Sequence, residues 1–102
     1  MNIDVVDSVI NLLEKVRSKP MVYIGVDLSR IISFLDGVHA VCKTIGIQCG
    51  YGPMYEQVMT ERGWTYSPKG PWQEMKERGL SDIDIVDEII SIEIEVLRRS
   101  NG

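Results

Sequence analysis

An all-α fold of about five helices, with a short extended connector and an aromatic loop region, is what the sequence predicts, and three observations predict it. Two long stretches carry apolar residues at helical spacing, a third opens on a capping serine and closes on cations, and glycine or proline stands wherever the spacing breaks. Residues 1–102 read as a single domain, without a repeat, a low-complexity tract or a linker.

The first helix is written between Ile3 and Val16. Val5, Val6, Val9, Ile10, Leu12, Leu13 and Val16 share one side of a 3.6-residue wheel, opposite Asp4, Asp7, Ser8, Asn11 and Glu14. It has to end near Ser18, because Pro20 disfavours helical backbone at Lys19, and Lys15, Arg17 and Lys19 gather where a helix C-terminus favours cations. Met21 to Ile24 then reads as the extended connector, closed by Gly25.

Asp27 or Ser29 can cap a second helix whose stripe is Ile31, Phe34, Leu35, Val38, Val41, Cys42 and Ile45, with Gly46 placed to stop it. Gly37 costs such a helix about 1 kcal/mol relative to alanine, which suggests a close approach by another helix. The segment from Gly46 to Pro53 reads as a loop. Pro53 suits the first turn of a third helix, Met54 to Arg62, stopped by Gly63, and a fourth of about two turns fits between Trp72 and Arg78 before Gly79. Between them lies the aromatic loop.

Ser81 to Arg99 admits two readings, because Ile90 to Val96 alternates apolar and polar residues as a half-buried strand does. Helix is preferred. Ser81 can cap it, Asp82, Asp84, Asp87 and Glu88 sit at its positive end, Arg98 and Arg99 sit at its negative end, and the run outlasts an ordinary strand. Its apolar arc spans roughly 200°, which requires more than one packing neighbour. Asp84, Glu88, Ser91 and Glu95 make the polar stripe, while Glu93 falls toward the apolar arc and must be paired or reach past its edge.

Eleven basic against fifteen acidic residues give a net charge of −4, which disfavours direct contact with nucleic acid or an anionic membrane and favours a basic protein partner. No membrane, small-molecule substrate or cofactor is expected. Asn2, Asp4 and Asp7 follow Met1 where a secretory leader needs a basic and then an apolar start, so a cytoplasmic protein is expected. Cys42 and Cys49 fit free thiols in a reducing compartment. With His39 they fall short of a zinc ligand set, and no metal site is expected. His39 lacks an identifiable nucleophile, and Ser8, Ser29, Ser33 and Asp36 form no triad motif, so no catalytic residue is assigned.

Leu13 to Gly25, LEKVRSKPMVYIG, resembles the segment that follows the first helix of gyrase B-type ATPases. The nucleotide-binding features of those enzymes do not follow it. No asparagine occurs between Asn11 and Asn101, Gly50-Tyr51-Gly52 is an isolated GxG, and Pro53 removes a backbone donor that a phosphate would need. The same opening, followed by the serine-led helix Ser29 to Gly37 with Phe34-Leu35-Asp36-Gly37, is similar to small bacterial immunity proteins of contact-dependent growth-inhibition and polymorphic toxin systems. Trp64, Trp72 and the run Ile83 to Leu97 match their tryptophan-containing middle and C-terminal helix in outline. Met21 departs from the group's usual glycine, and His39 from the aromatic that often follows Gly37.

The resemblance implies that Pro20, Tyr23, Gly25, Phe34 and Gly37 carry the fold, and that the function is to bind and neutralise a cognate toxin domain by occluding its active site or substrate groove. A nuclease is the natural toxin, because its groove must be basic. Candidate contacts are the carboxylates Asp84, Glu88 and Glu95, whose joint charge reversal is expected to spare the fold, and the aromatics Tyr51, Tyr55, Trp64, Tyr66 and Trp72. The alternative is a non-enzymatic helical adaptor or regulatory protein that uses the same surface on another partner.

Overall fold

The structure, a computed structural model, describes residues 3–20, 28–65 and 71–101. The connector expected at Met21 to Ile24, the cap at Asp27, and Tyr23, Gly25 and Tyr66 lie outside the described residues. The described residues form five helices and no strand: α1 (Ile3–Ser18), α2 (Leu28–Thr44), α3 (Pro53–Glu61), α4 (Trp72–Glu77) and α5 (Asp82–Asn101). No helix is long and apolar enough to cross a membrane among the described residues.

α5 is the centre of the fold. The wide apolar arc read from its sequence is used on all sides, since α1, α2, α3 and α4 each pack against it. Ile85, Val86, Ile89, Ile90, Ile92, Ile94, Val96 and Leu97 are buried along it, and Glu93 is buried among them. The alternation from Ile90 to Val96 is therefore a helix wrapped by neighbours, not a half-buried strand. Ser81 caps its start, where its Oγ accepts from the Asp84 backbone N–H at 3.2 Å.

α1 meets the core through Val6, Ile10, Leu13 and Val16, the inward face of the stripe. Arg17 donates to Ser91 Oγ at 3.0 Å, and Arg98 pairs with Glu14 at 3.0 Å, so polar contacts border this packing on α5. Three helices end in the same way. At the end of α2 the Gly46 N–H bonds the Lys43 carbonyl at 3.3 Å, and the Ile47 N–H reaches back to Cys42 at 2.8 Å. Gly46 adopts φ 82°, a conformation that favours glycine, and Ile47 tucks into the core behind it. Gly63 with Trp64 closes α3, and Gly79 with Leu80 closes α4, by the same pair of bonds.

α2 departs from expectation in how it spends its apolar stripe. Ile31, Leu35 and Cys42 are buried, but Phe34 and Val38 are only half-buried, and Val41 and Ile45 are 59% and 49% exposed. Gly37 meets nothing within 4 Å of where a β-carbon would stand, so no helix approaches it closely among the described residues. It lines an apolar groove of about 480 Å3 between α1 and α2, with Val9, Leu12, Phe34 and Val41.

Candidate functional site

The aromatic residues singled out by sequence separate into two roles. Tyr55, only 1% exposed, is part of the core of α3 and offers a partner no surface, which corrects its candidacy as a contact. Trp64 is half-buried, with its indole N–H donating to Glu88 at 2.8 Å and the Arg78 guanidinium 4.8 Å above its ring. Trp72 is half-buried against the core at the start of α4. Trp64 thus ties the end of α3 to α5, and Trp72 packs the start of α4 onto the core. Tyr51 differs, being 49% exposed.

The acidic stripe is divided as well. Glu88 accepts from Arg62 Nε at 2.7 Å and Nη2 at 2.6 Å, besides its bond from Trp64. The Arg62 bond holds its carboxyl below the ordinary carboxylate range against the opposing effect of burial, and the Trp64 bond adds to the lowering. Glu95 accepts from Arg99, which also grips both oxygens of Glu61. Asp84 stays exposed and makes no ion pair among the described residues. Joint charge reversal at Asp84, Glu88 and Glu95 would remove the acceptor that Arg62 and Trp64 share, so a stability cost is now expected of it.

The densest polar chemistry lies at the far end of α2, where it meets the loop from Gly46 to Gly52. His39 Nε2 lies 2.9 Å from Glu93 Oε2, with the two side chains 16% and 2% exposed. Glu93 Oε1 is buried and has no hydrogen-bond partner among the described residues. Burial pulls the imidazolium of His39 down, but the bond and charge of Glu93, with a smaller contribution from Asp36, together outweigh it and the net shift is upward. The charged ring is thereby favoured.

Tyr51 stands edge-on to this ring, 5.6 Å between centroids at 81°, and edge-on to Tyr55 at 4.8 Å and 61°. Such edge-to-face pairs fix an aromatic side chain more firmly than contact area alone does. Asn101, near the end of α5, clamps the loop by accepting from the Gln48 N–H at 3.1 Å and donating to the Gln48 carbonyl at 2.7 Å. On one side of Tyr51 a hollow of about 520 Å3 is lined by His39, Lys43, Gln48 and Gly50 among others. A smaller hollow of about 130 Å3, also lined by Tyr51, reaches Met54 and Val96.

The thiols do not make this a nucleophilic centre at neutral pH. Burial, the adjacent charge and hydrogen bond of Cys42, and the charge of Glu93 push Cys49 up to about 12, so it stays protonated. No group of three or more His, Cys, Asp or Glu side chains fit to hold a metal occurs among the described residues. What the arrangement can do is recognise, since a half-exposed aromatic on a clamped loop lines two adjoining hollows.

Sequence reasoning missed the pairing of His39 with Glu93, and with it Lys43, Gln48 and Gly50. The signal was present: the chain has one histidine, at the edge of the α2 stripe, and one acid turned toward the apolar arc of α5, each in need of a partner. No family model matches the chain, and searches of curated proteins and of solved structures find no match either.

Proposed function

We propose that this chain acts by binding, as an immunity protein that neutralises a cognate bacterial toxin domain, and that the Tyr51 loop is its principal contact. The observation that carries the reading is the state of Tyr51: half exposed, yet held from behind by His39 and Tyr55. An exposed aromatic ordered before binding loses little entropy when a partner covers it, which is the physical basis of an interface hot spot. The toxin assignment draws on the resemblance of Leu13 to Gly37, and the nuclease assignment on the net charge of −4, which suits a basic groove.

The test is co-expression with the C-terminal domain of the reading frame directly upstream in the genome, scored by cell survival and by co-purification. Survival with a stable complex supports immunity. A harmless upstream product, or killing despite this chain, removes the toxin reading and leaves an adaptor or regulatory protein with the same contact face.

A further inference from the structure

We infer that the hollow beside Tyr51 is a carboxylate-recognition pocket, in which His39 and Lys43 receive an aspartate or glutamate side chain of the protein partner. The inference rests on the binding role proposed above and adds the chemistry of the contact. His39 and Lys43 stand one helical turn apart on α2 and both line the hollow, whose lining includes no acidic residue. The lining itself thus presents only basic groups, with Glu93 paired to His39 from behind.

Both donors are available. The Arg62, Arg78, Arg98 and Arg99 side chains are each committed to a carboxylate within the chain, whereas Lys43 makes no ion pair or hydrogen bond among the described residues. His39 is anchored from behind through Nε2, and its other ring nitrogen, Nδ1, has no partner among the described residues. Gly50 packs beside that edge of the ring, where a β-carbon would lie 3.2 Å from Nδ1 and from Cγ, so a larger residue there would crowd the approach to Nδ1.

Glu93 explains why a buried acid is kept here. With one oxygen on Nε2 it orients the ring and favours its charged form, in which Nδ1 also becomes a donor. The other charged or titratable groups near the ring are Asp36 and Lys43 on α2, Cys42 on α2, and Cys49 and Tyr51 on the loop. A carboxylate entering the hollow meets the Lys43 ammonium and the His39 ring, whose Nδ1 donates in the charged form, and charge-assisted bonds of this kind are stronger than neutral ones. A basic partner groove that itself holds acidic residues, as a metal-dependent nuclease requires, presents such a group.

The test has two arms on the full chain. In the first, sodium acetate is titrated against the labelled protein by NMR, with sodium chloride as the reference. Saturable shifts at the His39 ring and the Lys43 side chain, weakened at least fivefold by Lys43→Met, are expected. Shifts that do not saturate, that spread equally over Lys15 and Lys76, or that survive Lys43→Met unchanged overturn the pocket. In the second, Lys43→Glu is measured against the upstream-encoded domain, and a loss of at least tenfold in affinity is expected. If Tyr51→Ala weakens that complex and Lys43→Glu does not, the pocket is wrong while the binding role stands. If the wild-type chain does not bind that domain at all, the toxin reading fails and the acetate arm alone decides the pocket.

Discussion

Glu93, buried on the central helix, reaches across to α2 and meets His39 Nε2 at 2.9 Å, while its second oxygen meets no donor among the described residues. A half-satisfied buried acid is a poor means of holding helices together, because desolvation offsets most of the attraction that the pair gains. Its value lies in what it does to the imidazole, which it orients beneath Tyr51 and whose charged form it favours beside Lys43.

Removing one partner of the pair is therefore predicted to be worse than removing both. His39→Leu leaves Glu93 buried beside an apolar side chain and should cost about 3 to 5 kcal/mol in urea unfolding. The double variant with Glu93→Met should regain most or all of that loss. Equal destabilisation by the single and double variants would show that the pair acts through packing rather than charge.

The pH dependence of stability has a limb on each side. His39 is raised above its ordinary value of 6.5, so its contribution is complete below about that pH and is lost as pH rises through the higher folded value. Glu88 is lowered from 4.5, so its contribution is complete above that pH and is lost as pH falls through the lower folded value. Melting temperature followed across pH should lose its alkaline-side limb in the His39→Leu, Glu93→Met double variant. Glu88→Gln should lose the acidic limb instead.

Within the acidic stripe the carboxylates should behave unequally. Glu88→Ala removes the shared acceptor of Arg62 and Trp64 and should cost about 1.5 to 3 kcal/mol, with a change in tryptophan fluorescence. Asp84→Ala, at an exposed position without an ion pair, should leave the unfolding midpoint within about 0.5 kcal/mol of wild type. Equal effects at the two positions would contradict the division of the stripe.

Phe34 and Met59 test where the core ends. Met59, fully buried on α3, should cost about 2 to 5 kcal/mol when replaced by alanine. Phe34, half-buried at the open groove, should cost less than the roughly 3 to 5 kcal/mol of a fully buried phenylalanine. Chemical denaturation of the two variants compares them directly.

The fold was legible where a local pattern decides the structure. Gly46, Gly63 and Gly79 end helices because only short-range backbone bonds are involved, and the caps and charges of α5 overrode the alternation from Ile90 to Val96. Long-range pairing was not legible. Phe34, Val41 and Ile45 share a stripe with Leu35 and Cys42, and only the placement of α2 against the rest of the fold decides which of them are covered. Tyr51 and Tyr55 look alike in sequence, yet one lies on a clamped loop and the other faces the core. Glu88 reads as surface charge until Arg62 and Trp64 are brought to it from α3's end.

The central claim is that an ordered, exposed Tyr51 is the contact through which this chain binds its partner. Titration calorimetry of the purified chain against the upstream-encoded domain, with wild type and Tyr51→Ala compared at one salt concentration, tests it most directly. The account predicts a loss of about 2 kcal/mol or more, roughly thirtyfold in Kd, in a variant that still melts cooperatively from a folded state. Tight binding by wild type that Tyr51→Ala leaves untouched would contradict it.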